Sequence, residues 1–249
     1  HNRIVKTAQG RKLQLYLPAW PSPAFFNALE NKLLRRPPAP TSVVLSMTRA
    51  CAYKCPHCYQ KKEHGADLEH SLLLRTLDDM CAAGVSFFNI EGGEPFLRYD
   101  RLLAVLDRLG RQAEVWVNTT GDGATEEKLA ELQQHGLAGI MVSIHSPLAA
   151  THDAFTGIAG SFDCACETMR LAKTLGLGVA VNSVLAESEI RSGGLESLMA
   201  LARYSGADYV QLIHPKPCGG WLDKPDPMQF DASLLRFIEE QHLLYNGPD

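Results

Sequence analysis

From residue 42 onward one pattern recurs six times: a short apolar, β-branched or aromatic run, a loop, and an amphipathic stretch closed by glycine. The runs are Val43-Val44-Leu45-Ser46-Met47, Phe87-Phe88-Asn89-Ile90, Val115-Trp116-Val117, Ile140-Met141-Val142-Ser143, Val179-Ala180-Val181 and Tyr209-Val210-Gln211-Leu212-Ile213. Between them apolar residues fall at helical spacing, as in Leu73, Leu77, Met80 and Cys81 after a Ser71 N-cap, or Leu102, Val105, Leu106 and Leu109 after Asp100. Gly84, Gly110, Gly136, Gly176 and Gly206 stand where those helices should stop. Continuous apolar strands alternating with helices imply a parallel sheet covered by helices, with right-handed crossovers. Such a sheet is either doubly wound or a partial barrel. The residues at the strand ends, Thr48, Glu91, Asn118, Ser143, Asn182 and His214, are all polar, which places a candidate site on the C-terminal edge in the manner of a barrel enzyme. The expected fold is α/β, a partial TIM-type (β/α)6 barrel over residues 42–214.

The flanks are shorter and different. Residues 3–17 read as two extended runs around Gln9-Gly10, a hairpin extension serving as a lid or an edge piece, followed by a proline-rich approach with one helix over residues 24–34. Residues 215–249 form a C-terminal segment with one helix over residues 233–244. The first residue is not methionine, and the chain reads as a piece of a longer protein. A net charge of −4 offers no basic stripe for phosphates, so nucleic acid is not an expected partner. No run approaches the roughly 18 apolar residues that span a bilayer, so the expected protein is soluble and no membrane partner is expected. Seven cysteines in a chain of 249 residues fit metal binding or free thiols better than disulfides, and imply a reducing cytoplasm.

Three of those thiols are concentrated. Thr48-Arg-Ala-Cys51-Ala-Tyr-Lys-Cys55-Pro-His-Cys58-Tyr59 sets them four and three residues apart, directly after the first barrel strand. Three neighbouring thiolates suit an iron–sulfur cubane with one iron left open for a ligand. A structural zinc would need a fourth ligand, for which His57 is the local candidate.

The Cys51, Cys55, Cys58 loop followed by an aromatic residue resembles the signature loop of the radical S-adenosylmethionine (SAM) superfamily, and three further stretches agree. Glu91-Gly92-Gly93-Glu94-Pro95 is similar to that family's GGEP segment, in which backbone groups and the Glu receive the SAM amino group. Asn118-Thr-Thr-Gly121 resembles a third-strand segment usually written TNG, and Ser143 a strand-end serine that contacts the methionyl part. Asn182 corresponds to a position that often bonds the ribose, and Leu212 or Gln211 to one against the adenine. Residues 143–162 look most like members that modify peptides and proteins or build cofactors, many of which carry a cysteine-rich SPASM extension. The resemblance implies a [4Fe–4S] cluster on Cys51, Cys55 and Cys58, with SAM held by Tyr59, Gly92, Gly93, Glu94, Asn118, Ser143, Asn182 and Leu212. It also implies an electron donor such as flavodoxin or ferredoxin, and reductive cleavage of SAM to methionine and a 5′-deoxyadenosyl radical that takes hydrogen from a substrate. That substrate is expected to be a peptide, a protein or a cofactor precursor. Near Thr156 such relatives often carry an arginine for the SAM carboxylate; this chain has none there, which leaves Arg170 or a backbone group as substitutes.

Among the remaining residues, His145 and His214 end strands and are the candidates for moving a substrate proton, ahead of His152. Cys81 falls on an apolar helix face, and Cys164 and Cys166 point to opposite sides of a helix. Cys218, after the last strand, is either a free thiol or a ligand completed by an extension. Two competing functions stay open: an iron–sulfur or zinc interaction module without turnover, and a radical SAM enzyme acting on a small metabolite.

Overall fold

The structure is a computed structural model that describes residues 4–34, 39–62, 65–110, 112–222 and 230–246. The chain enters through a hairpin, β1 (Val5–Thr7) and β2 (Gly10–Lys12), and a helix, α1 (Pro23–Leu34). Then come β3 (Ser42–Ser46), α2 (His70–Ala83), β4 (Phe87–Glu91), α3 (Tyr99–Leu109), β5 (Glu114–Thr119), α4 (Glu126–Gln134) and β6 (Leu137–Ser143). They are followed by α5 (Ala149–Thr156), α6 (Ser161–Thr174), β7 (Gly178–Ser183), α7 (Glu187–Arg191), α8 (Gly194–Tyr204), β8 (Tyr209–Leu212) and α9 (Ala232–Asn246). The six strands β3 to β8 pair in sequential order, every pair parallel. This is the partial (β/α)6 barrel that the strand and helix pattern predicts. No helix among the described residues is long and apolar enough to cross a membrane.

Alternation along the strands divides the barrel into two layers. Phe88, Ile90, Val115, Val117, Ile140, Val142, Val179 and Val181 pack outward against the helices in the main core. The residues between them face inward, where Phe87, Trp116, Met141 and Ala180 fill the interior with Leu15 from the N-terminal segment. Gly139 and Gly178, paired in register on neighbouring strands, open a slot for the indole: a Cβ on either would lie within 2.8 Å of the Trp116 ring. Further along the strands the inward side chains turn polar, and that change sets the height of the site.

The N-terminal hairpin exists, but its second strand is β2, and residues 13–17 run through bends and turns rather than a strand. The cause is Lys12. Its ammonium is buried against the Glu114 carboxylate and donates to the Leu17 carbonyl at 2.6 Å, so the chain must fold back around it. The hairpin segment therefore closes the floor of the barrel, at the end opposite the strand-end residues. It is not a lid. At the start of α2 the cap is Glu69 rather than Ser71: its carboxylate accepts the amides of Ser71 and Leu72, both at 3.0 Å.

Candidate active site

The C-terminal strand ends open into a cavity of about 570 Å³, a volume in the range of cofactor and substrate sites. The cysteine loop, between β3 and a short 3-10 helix (Tyr59–Lys62), forms one wall. Short bonds fix that loop at several points. Asp67 accepts the Thr48 hydroxyl and the Arg49 amide, each at 2.8 Å, and the Lys54 amide donates to the Thr156 carbonyl at 2.7 Å. The amides of Gly93 and Glu94 donate to the carbonyls of Thr48 and Ala50 at 2.7 and 2.6 Å. This contact needs glycine: a Cβ on Gly92 would lie 2.3 Å from the Thr48 carbonyl oxygen, and one on Gly93 2.1 Å from that of Ala50.

Cys51, Cys55 and Cys58 all line the cavity, as do Tyr59, Gly92, Gly93, Asn118, Ser143 and Asn182. The three thiols are unpaired. Burial pushes Cys51 up, and it pushes Cys55 up to about 12 with help from the neighbouring thiols. As thiolates they would repel one another in a low dielectric, so they call for a cationic partner. Among the described residues no three Cys, His, Asp or Glu side chains gather around one ion-sized point, and the three thiols line the wider cavity. His57, the candidate fourth zinc ligand, turns its ring among His145, Phe155 and Trp221, with centroids 4.6, 5.0 and 5.6 Å away.

Two expected site residues stand elsewhere. Glu94 is fully buried and does not line the cavity. Its carboxylate accepts the Phe96 amide at 3.1 Å, the Thr119 hydroxyl at 2.8 Å, and the amide and hydroxyl of Thr120 at 2.6 and 2.7 Å. It fastens the end of β5 to the glycine turn, while burial still holds its pKa above the usual carboxylate value. Leu212 packs with the main core beneath the helices, because the period of two along β8 turns Ile213 toward the cavity instead. Arg170 is also absent from the site: it pairs with Glu167 on the surface of α6.

The carboxylate that faces the cavity is Glu91. It accepts the Tyr59 hydroxyl at 2.6 Å and the Asn118 amide at 2.9 Å, linking the residue after the third cysteine to two strand ends. Asn118 Oδ1 and Asn182 Oδ1 are buried without a partner, two acceptors left over for a ligand. His145 lines the cavity but is buried, and its Nδ1 accepts the Val184 amide at 3.3 Å. Burial, then His57 and His152, hold it well below 6.5, so it is neutral at physiological pH with its proton on Nε2. His214 lies exposed at the mouth, its ring 4.8 Å from that of Phe230. Three further features complete the site. One is Glu91, legible in sequence as a strand-end polar group. Another is Lys54, whose stem would touch a Cβ on Gly157 at 3.2 Å and which therefore stands beside Thr156. The last is the short 3-10 helix (Gly219–Trp221) packed on the cysteine loop.

A model of the radical SAM superfamily matches residues 45–189, more than half of the chain. The chain belongs to the radical SAM superfamily. Pre-heme d1 synthase of Dinoroseobacter shibae is 29% identical over 187 residues, covering 74% of this chain and 45% of that one. PqqA peptide cyclase of Methylocella silvestris is 25% identical over 216 residues, covering 84% and 57%. This radical SAM chain thus spans about half the length of the curated relatives it matches. Among solved structures, Streptococcus suis SuiB bound to its precursor peptide SuiA shares the fold with a TM-score of 0.70 at 16% identity, over 89% of this chain and 49% of SuiB.

The cofactors of the family are a [4Fe–4S] cluster and SAM, and the residues present suit both. Three unpaired thiols lining one cavity suit a cationic iron–sulfur core with one open iron. A turn too tight for any Cβ and two unpartnered amide oxygens suit a polar ligand beside it.

Proposed function

We propose that this chain is the radical SAM core of an enzyme acting on a peptide, protein or cofactor precursor, with Cys51, Cys55 and Cys58 holding the cluster. The observation that carries this reading is that the three thiols, the Gly92-Gly93 turn and the unpartnered Asn118 and Asn182 oxygens open into one cavity. The names of the relatives, a peptide cyclase and a pre-heme synthase, support the substrate class. When bound and reduced, the cluster and SAM supply a 5′-deoxyadenosyl radical that abstracts hydrogen.

The chain's own residues bind, orient and exclude water. The open backbone of Gly92 and Gly93, with Asn118, Ser143 and Asn182, holds SAM, and Lys54 beside Thr156 supplies a cation for its carboxylate. Glu94 acts through Thr119 and Thr120 as a positioning residue. Glu91 ties Tyr59 to Asn118 and so orients the third cysteine. Neutral His145, fixed by Val184, presents an Nε2 proton donor, and exposed His214 stands at the mouth of the cavity. Residues 42–214 form the core unit in this reading, with residues 1–41 and 215–249 as flanks, and the enzyme works in the cytoplasm with flavodoxin or ferredoxin as donor.

The test is anaerobic reconstitution with iron and sulfide, reduction by dithionite, and measurement of 5′-deoxyadenosine beside a Cys55→Ala control. Wild-type production absent from the control supports the reading. A protein that holds iron and binds no SAM is an interaction module instead.

A further inference from the structure

The chain as a whole is acidic, yet its cavity is not. Lys54, Lys61 and Lys216 line it, with one carboxylate, Glu91, among the described residues. Glu91 is already engaged by Tyr59 and Asn118. His145 adds no charge at neutral pH, since burial holds its imidazole low.

Among the described residues these lysines balance no protein carboxylate. On the helices Arg108, Arg170, Lys173 and Arg191 each pair with a carboxylate. Lys54, Lys61 and Lys216 form no such pair among the described residues. They also come from three separate segments. Lys54 lies in the cysteine loop against Gly157, Lys61 in the 3-10 helix after it against Gly220, and Lys216 follows β8. Lysines contributed by three separate segments suit several separate carboxylates better than one compact anion, which a convergent fork would grip. Cofactor loading does not use them up. The SAM carboxylate takes one, and the remaining sulfonium and ammonium of SAM offset the small negative charge of a three-thiolate cluster. A half-enclosed cavity with a surplus of cations concentrates anionic ligands.

We propose that the substrate admitted beside SAM is polyanionic, carrying several carboxylates near the C–H bond to be attacked, on the acidic side chains of a peptide or on a non-peptide precursor. This rests on the radical SAM reading and adds the substrate's charge to it.

The test uses cluster-loaded enzyme with SAM and two fluorescent peptides of equal length, one rich in Glu and its Gln counterpart, followed by anisotropy at low and high ionic strength. The Glu peptide should bind roughly tenfold tighter, lose that advantage in high salt, and weaken by a similar factor in Lys61→Glu/Lys216→Glu. The salt dependence of wild type makes the same test should the double variant fold poorly. Displacement of the label by benzenehexacarboxylate supports polycarboxylates in general; retention supports acidic peptides in particular. Equal binding of both peptides overturns the proposal. So does charge reversal that leaves peptide binding intact but raises the KM for flavodoxin, since the cations would then serve the electron donor. Wild-type 5′-deoxyadenosine formation under dithionite is measured in the same samples. Cleavage without acidic preference sinks this proposal alone, and absence of cleavage sinks the reading beneath it.

Discussion

The Gly220 amide donates to the Cys58 carbonyl at 3.0 Å, joining the segment after the last strand to the loop that carries three cysteines. The approach is close on both sides of that bond. A Cβ on Gly219, at φ +52°, would lie 2.3 Å from the Cys58 carbonyl oxygen, and one on Gly220 2.1 Å from that of Pro56. Gly220→Ala should therefore push the cysteine loop outward at a cost of about 1–3 kcal/mol. Iron retained after reconstitution and desalting should fall well below wild type, with the unfolding midpoint lowered. Full iron retention in Gly220→Ala would show that this segment does not brace the cluster loop.

Glu94 offers a separable test of two roles. With four protein donors on a buried carboxylate, Glu94→Gln turns an amide NH₂ toward groups that also donate, which costs about 1–3 kcal/mol in the protein without cofactor. Equilibrium denaturation of that form is the measurement. A variant as stable as wild type that nevertheless loses SAM affinity, measured by dialysis, would return Glu94 to direct ligation.

Much of this is legible in the sequence alone. Strand runs, helix-ending glycines and the cysteine spacing define barrel and cluster loop because each is a local pattern: Gly84 does end α2 in the left-handed region at φ +104°, and α9 covers the expected C-terminal helix. What escaped depends on which way a side chain turns. Glu94 and Glu91 are three residues apart in one motif, and only the path of the turn decides which carboxylate meets the cavity. Leu212 packs on the core while Ile213 beside it lines the cavity, because one step along the strand reverses the face. Lys12, charged and close to the N-terminus, gives no sequence sign that it will be buried under the barrel.

Acid should weaken the fold through its buried histidines. His145 and His152, with ring centroids 5.9 Å apart, both titrate below 6.5, mainly from burial. Their folded pKa values lie under the unfolded one, so the unfolded chain takes up protons first as the pH drops. Stability is complete above about pH 6.5 and declines below it, by at most roughly 1.4 kcal/mol per pH unit for each histidine. Urea unfolding across that range should show the decline in wild type and a shallower one in His145→Gln. Equal slopes would mean that His145 is charged or exposed in the folded state.

Beneath the site, the Lys12–Glu114 pair should be a strong determinant of stability although it touches no ligand. Both side chains are 1% exposed, and Glu114 also accepts the Trp116 indole N–H at 2.8 Å and the Ala19 amide at 2.6 Å. The ammonium lies 4.9 Å from the Phe87 centroid and 5.5 Å from that of Trp116, so its setting is otherwise aromatic. Burial lowers its pKa, and Glu114 works in the opposite direction. Lys12→Met leaves a carboxylate in that setting without its cation, a loss of about 3–5 kcal/mol. The double change Lys12→Met/Glu114→Gln removes both charges while an amide oxygen still accepts from Trp116 or Ala19, so it should recover part of that loss. Denaturation of the two single variants and the double variant closes the cycle. If Lys12→Met costs less than about 1 kcal/mol, the floor of the barrel is wet enough to solvate Glu114 and the hairpin is a loose flap.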